Sequence, residues 1–192
     1  MIKQYVFLGA SWLAYVIIHS ILATTRVKSF ASRALHISEG AYRRGYNVLA
    51  VATLLAIIYY QLLLKSVMLF NAPAWLTVMA ACLFFAGIVV MAVCIYKYFR
   101  NLSGLLDQPN ELIISGLHHV VRHPLYMGTF MMLLGLLGLF PYLGILIMVF
   151  IIITYTVIAL RWEEDKLVKE FGKAYQEYKL KVPAIIPNFR RK

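Results

Sequence analysis

Acidic residues are scarce in this chain. Asp and Glu together account for 8 of 192 residues against 19 Lys and Arg, and charged residues of both signs make up only 14%. A soluble domain carries about a quarter charged residues, so a water-facing globule is excluded. Internal repeats and low-complexity linkers are absent, which excludes a repeat array. Cysteine is limited to Cys82 and Cys94, twelve positions apart within one apolar run. That spacing does not suit a close-spaced zinc pair, and both read as packing residues.

Apolar residues are abundant. Hydrophobic residues make up 62% of the chain, with a mean hydropathy of +0.76, which describes one integral membrane domain. Three runs approach the roughly 20 apolar residues that cross a hydrocarbon core: Tyr5–Ala23, Tyr46–Leu64 and Trp75–Tyr96. A fourth region, Pro124–Leu160, would make a helix of roughly 55 Å, too long for a core of about 30 Å. It must fold back, and Pro141-Tyr142-Leu143-Gly144 at its midpoint supplies the turn. The expected fold is an all-α integral membrane protein of about five transmembrane helices, the last two a hairpin, followed by a C-terminal interfacial amphipathic helix. Residues 1–98 hold three spans and a basic loop; residues 99–192 hold a polar loop, the hairpin and the tail.

Cations set the orientation. Arg26, Lys28, Arg33, Arg43 and Arg44 follow the first span; Lys97, Arg100 and Arg122 precede the hairpin; nine more lie between Arg161 and Lys192. Only Lys3 and Lys65 fall on the opposite side. The expectation is an external N-terminus, with both long loops and the tail on the cytoplasmic face of the cell (inner) membrane. The opening apolar run is too long for a secretory signal, lacks a convincing cleavage site and is followed by basic residues, so it reads as a retained span. The net charge of +11 is spread over span ends without interleaved stacking aromatics, which points away from nucleic acid and toward anionic membrane lipids.

In the front half, His19-Ser20 sits near the cytoplasmic end of the first span, and Tyr42-Arg43-Arg44 with Tyr46-Asn47 opens the second. Two readings apply to His19: a haem or metal ligand, or an imidazole bonded between helices. Tyr42 and Tyr46 suit an aromatic belt equally well. Between spans, Asn101, Ser103, Asp107, Gln108, Pro109 and Asn110 form a polar stretch that is either a cofactor cover or an ordinary solvated connection.

The sharpest signal is Gly116–Gly128, which reads GLHHVVRHPLYMG, together with the carboxylate pair Glu163-Glu164. Two ionisable clusters bracketing a membrane-length segment suggest one composite site at the membrane surface. Arg122 brings a permanently charged fork suited to a carboxylate or phosphate, although alone it also suits a lipid anchor. His119 and His123 are four apart, a spacing that would align both on a continuous helix; Pro124 opposes that, no third ligand is evident, and no metal is expected. After Arg161, the residues Leu167, Val168, Phe171, Tyr175 and Tyr178 recur at helical spacing, as a surface helix would.

In this order, Gly116, Arg122-His123-Pro124-x-Tyr126, a hairpin, Glu163-Glu164, Leu167, Phe171-Gly172, Tyr175, Tyr178 and Val182-Pro183, the chain resembles the isoprenylcysteine carboxyl methyltransferase superfamily over about its last 80 residues. The resemblance implies S-adenosylmethionine bound on the cytoplasmic side and a lipophilic acceptor approaching from the bilayer. Where the family usually has tyrosine and basic residues after the glycine, this chain has His118 and His119. The front half, through His19-Ser20, Ala23, Val27-Lys28 and Tyr42-Arg43 to Tyr46-Asn47, resembles the nitrite and nitric-oxide reductase accessory proteins and the methanethiol S-methyltransferases. Kinship with a haem-using carotenoid isomerase implies His19 as a ligand in the competing reading.

The resulting expectation is an S-adenosylmethionine-dependent methyltransferase acting on a lipophilic or small thiol or carboxylate acceptor. Gly116, His118, His119, Arg122, His123, Pro124, Tyr126, Glu163 and Glu164 would hold the cofactor. Arg161 would orient the acceptor, and with Glu164 it forms the expected catalytic pair. Methyl transfer depends mainly on alignment, which positioning alone can favour by several kcal/mol. The alternatives are a haem-associated isomerase or nitrogen-oxide reductase accessory protein, and a noncatalytic scaffold.

Overall fold

The computed structural model of the chain describes residues 2–102, 112 and 114–188. Among them, the elements are α1 (Ile2–Ala23), α2 (Thr25–Ala34), α3 (Glu39–Leu63), α4 (Ala74–Leu102), a 3-10 turn (Gly116–His119), α5 (Pro124–Leu139), α6 (Leu143–Phe171) and α7 (Lys173–Lys181). Among the described residues, the only β-bridge is an isolated antiparallel one between Met68 and Tyr142. Helices α1, α3, α4 and α6 are long and apolar enough to cross a membrane, and α5 is a shorter apolar helix of 16 residues. The polar stretch 103–111 lies outside the described residues.

The chain divides into two compact units, Met1–Phe70 with Tyr142–Tyr155, and Asn71–Pro141 with Thr156–Lys192. In the first, α1 packs on α3 around the buried side chains of Leu8, Trp12 and Val16. The Trp12 indole N–H donates to Gln61 Oε1 at 2.8 Å, so a buried polar edge is satisfied within apolar helices. Tyr42 donates to the Leu22 carbonyl at 3.1 Å, satisfying one of the acceptors left open at the end of α1. Ser66 Oγ accepts from the Gly144 N–H at 2.9 Å, and the Val67 carbonyl accepts from the Leu143 N–H at 2.9 Å, which ties down the start of α6.

The basic segment after α1 is largely helical rather than a loop. Thr24 caps α2 through the Val27 N–H, and Ser38 caps α3 through the Ala41 N–H, with Glu39 in its first turn. Helix α3 therefore starts seven residues before the apolar run, and Arg43 and Arg44 lie in its opening turns. His36, with φ 52°, breaks the chain between α2 and α3.

In the second unit, α4 and α5 approach closely because glycines remove the Cβ atoms that would hold them apart. A Cβ on Gly87 would lie 2.5 Å from the Met132 nitrogen, and one on Gly135 would lie 2.5 Å from the Phe84 nitrogen. Pro124 opens α5 at a position where its missing N–H costs no helical bond. Helix α6 does not end at the charged residues: no glycine or proline occurs after Gly144 until Gly172, so the helix runs on through Arg161 and the carboxylates to Phe171. Gly172 then adopts φ 55° and starts the nine-residue α7. The expected single interfacial helix is thus an extension of α6 plus a separate short helix.

Candidate active site

The site is assembled within the second unit from the 3-10 turn, the residues before α5, the extension of α6, and α7 with the chain that follows it. Gly116 has φ 67°, a left-handed conformation that opens the 3-10 turn carrying His118 and His119. The turn ends before Val121, and α5 starts at Pro124, so His119 and His123 do not share a helical face. The main chain of Arg122 and His123 donates to the carbonyls of Pro183 (2.8 Å) and Ala184 (2.9 Å). Tyr178 donates to the His118 carbonyl at 2.5 Å, and the His118 Nδ1 lies 3.0 Å from the Arg122 carbonyl.

At the centre stands the Arg122–Glu164 pair, both side chains about nine-tenths buried. Arg122 Nε and Nη2 meet Glu164 Oε1 at 2.9 and 2.5 Å. Arg122 Nη1 donates to the Lys179 carbonyl at 3.2 Å and also to the Val182 carbonyl. His123 Nε2 lies 3.3 Å from the same Glu164 oxygen, and Lys179 Nζ is 2.8 Å from Glu164 Oε2. Both carboxylate oxygens are therefore engaged, and the guanidinium is committed to protein acceptors on both sides. Burying such a charge is tolerable only with this degree of compensation.

Glu163, one residue earlier on α6, has a different environment. Its side chain is 45% exposed; Oε2 accepts from Tyr126 at 2.7 Å and lies 3.9 Å from His123 Nδ1. The His123 ring stacks on Tyr126 with centroids 5.6 Å apart and planes 18° from parallel. Burial holds the His123 imidazole below its ordinary pKa of 6.5; Glu163 and Glu164 pull upward and Arg122 pushes down, and the net direction is downward. The neutral form predominates at neutral pH. Two full cations, Arg122 and Lys179, then balance two carboxylates in the cluster.

Behind the pair, Tyr175, Tyr178 and Val182 form a buried core with Leu112, Leu167, Val168 and Phe171. The Tyr175 hydroxyl is buried without a hydrogen-bond partner among the described residues. Burial and the Glu164 charge push this phenol up to about 12, although Arg122 opposes them, and burial also raises Tyr178.

Of the expected residues, Arg122, His123, Tyr126, Glu163 and Glu164 come together, with Pro124 directly after them as the first residue of α5. His118 joins through its contact with the Arg122 carbonyl. Gly116 and His119 lie on the adjoining exposed turn, and Arg161 is exposed and takes no part in the network among the described residues. Sequence reasoning missed Lys179, the carbonyls of residues 179, 182, 183 and 184, and the polar role of Tyr178. Carbonyl partners leave no side-chain signal, and Lys179 is one of several lysines in the tail.

Residues 75–174 match the family model described as phospholipid methyltransferase. Among curated proteins, the chain is 30% identical over 100 residues to methanethiol S-methyltransferase of Crocosphaera subtropica, covering 51% of this chain and 36% of that protein. It is 34% identical over 71 residues to methanethiol S-methyltransferase 2 of Bradyrhizobium diazoefficiens, covering 37% and 27%. Against protein-S-isoprenylcysteine O-methyltransferase of Schizosaccharomyces pombe the identity is 37% over 84 residues, covering 42% and 35%. The chain spans about a third of the length of the curated relatives it matches. No solved structure matches it.

Proposed function

The chain belongs to the phospholipid methyltransferase family, and from that premise we propose that it is a membrane methyltransferase that uses S-adenosylmethionine at the cytoplasmic face. Its acceptor is a lipophilic molecule or a small thiol or carboxylate, the chemistry named in the family description and in the relatives. The observation that carries this reading is Glu163: a half-exposed carboxylate, steadied by Tyr126, beside an Arg122–Glu164 pair whose charges already answer each other.

S-adenosylmethionine has an ammonium, a carboxylate, a ribose diol and an apolar ring face, and the donor set fits those groups. Glu163 suits the ammonium or the diol, since a carboxylate only accepts and one oxygen is bonded to Tyr126. Gly116, His118 and His119 offer backbone and imidazole groups to the carboxylate. The buried Tyr175 hydroxyl is a donor of the same unit without an acceptor among the described residues. Arg122, His123, Pro124 and Glu164 position this frame. Arg161, exposed on α6, steers an anionic acceptor. When bound, the cofactor supplies an electrophilic methyl on a sulfonium sulfur; the chain's residues align the acceptor and exclude water.

Chain continuity supports the span count. The residue before α5 and the extension of α6 touch through His123 and Glu164. If α6 crosses the bilayer, the chain must return from that contact to Leu143 on the far side, and α5 is the segment that makes the journey. Its 16 residues reach roughly 24 Å, short of a core of about 30 Å but within local thinning. This supports five crossings, and the excess of Lys and Arg at one set of span ends supports an external N-terminus and a cytoplasmic tail beside anionic lipid of an inner membrane.

The deciding experiment is equilibrium binding of S-adenosylmethionine and its demethylated product to the full chain in lipid-like detergent. Micromolar binding is expected, weakened about tenfold by Glu163→Gln through loss of a charge-assisted bond. Absence of binding refutes the reading. Transfer of labelled methyl to a membrane lipid extract and to small thiols then identifies the acceptor class. Arg161→Gln should lower transfer without changing cofactor binding.

A further inference from the structure

Outside the residues that match the family model, α1 and α3 enclose a groove of about 290 Å3 lined by Tyr15, His19, Tyr46 and the apolar side chains of both helices. Ser11 and Thr53 also line it, but their hydroxyls donate to their own helices, to the Phe7 carbonyl at 2.8 Å and the Leu49 carbonyl at 2.7 Å. The groove is therefore hydrocarbon apart from one stack of rings. Tyr15 lies on His19 with centroids 5.7 Å apart and planes 22° from parallel, and the Tyr46 hydroxyl lies 2.8 and 3.0 Å from the two imidazole nitrogens.

One hydroxyl cannot serve both nitrogens in line, because their bonding directions diverge around the ring. The Tyr46 hydroxyl also lies 3.5 Å from the His19 carbonyl, a long contact, so the shorter imidazole bond is the better use of its proton; in the tautomer that accepts it, the other ring nitrogen keeps an N–H. The Tyr15 hydroxyl makes no hydrogen bond among the described residues. In that tautomer two donors have no protein acceptor among the described residues, on a helix of membrane-spanning length where an unpaired polar group is costly. Their natural complement is an acceptor oxygen. His19 stands four residues before the end of α1, where the carbonyl ends of the helix disfavour negative charge, so a neutral carbonyl suits the position better than a carboxylate. At roughly 30 Å3 per small group, the 290 Å3 groove holds about ten of them, enough for part of one chain and not two.

We propose that this groove binds a single-chain lipid with a neutral carbonyl head, the chain lying between α1 and α3 and the carbonyl oxygen accepting from His19 and Tyr15. The groove shares no lining residue with the Arg122–Glu164 network, and the proposal does not rest on the methyl-transfer reading.

The test uses the full chain in nanodiscs with a diazirine-bearing fatty acyl methyl ester, its cross-links mapped by peptide mass spectrometry. Labelling is expected on residues 11–57 and should be displaced by methyl palmitate at about tenfold lower concentration than by hexadecane or palmitate, as one or two hydrogen bonds predict. Tyr15→Phe with His19→Phe should erase that preference. Ala50→Trp, which fills the groove, should abolish labelling, while Leu62→Trp on an exposed face should not. Equal displacement by hexadecane, or labelling spread evenly over all spans, overturns the proposal. The competition is read on the unaltered protein, so it stands even where a variant fails to fold.

Discussion

Replacing Glu164 by glutamine is the most demanding test of the charge network. Glu164 Oε1 accepts from Arg122 at 2.9 and 2.5 Å and lies 3.3 Å from His123 Nε2, while Oε2 meets Lys179 at 2.8 Å. Glutamine retains one acceptor and turns a donor group toward either Arg122 or Lys179, leaving a buried guanidinium without its counter-charge. Breaking one side of such a pair costs about 3–5 kcal/mol. For a chain of this length, each kcal/mol moves the melting temperature by roughly 2–4 °C, so a fall of about 10 °C is expected. Size-exclusion profiles after heating in detergent give the apparent midpoint. Arg122→Met should cause a comparable loss, and Arg122→Met with Glu164→Leu should lose less than the two singles combined by roughly 1–3 kcal/mol. A strictly additive double variant, or a glutamine variant as stable as the parent, would refute the mutual pairing and return both residues to the role of open ligand contacts.

Further outcomes follow from other contacts. Gly135→Ala should destabilise by about 1–3 kcal/mol in the same heating assay, since its Cβ would meet backbone of α4, whereas Gly45→Ala, with open space around it, should be neutral or slightly stabilising. His123, with its pKa held below 6.5, binds fewer protons folded than unfolded. Stability should therefore be unaffected by this group above pH 6.5 and fall as pH drops below it, a component that His123→Gln removes from the pH profile of the melting midpoint. Tyr175→Phe deletes a buried hydroxyl without a hydrogen-bond partner among the described residues, so the folded chain should lose no stability and can gain up to about 1 kcal/mol. If its S-adenosylmethionine affinity nonetheless drops, the hydroxyl serves the cofactor.

The helical membrane class was readable because the apolar runs have no competing interpretation. Pro141 and Gly144 marked the turn before α6, and Arg122 and Glu164 stood out because charges flank membrane-length segments. Three features were not readable. Ser38 and Glu39 extend α3 through a cap that polar residues in a loop would equally allow. The passage of α6 through Arg161–Asp165 follows from a lack of helix breakers, which is weaker than the change in polarity that suggested a new element. Above all, sequence identified Arg122 and Glu164 as two open halves of a cradle, whereas the structure pairs them directly. Spacing along the chain does not reveal that the carbonyls of residues 179 and 182 complete the guanidinium's shell.

That shell has a consequence for the order of synthesis. Arg122 depends on the Val182 carbonyl, 60 residues further along the chain. At about 5–20 residues per second, translation leaves Arg122 waiting roughly 3–12 seconds for its last acceptors. During that interval its long side chain can reach water or lipid phosphates. The site can close only once the tail has left the ribosome.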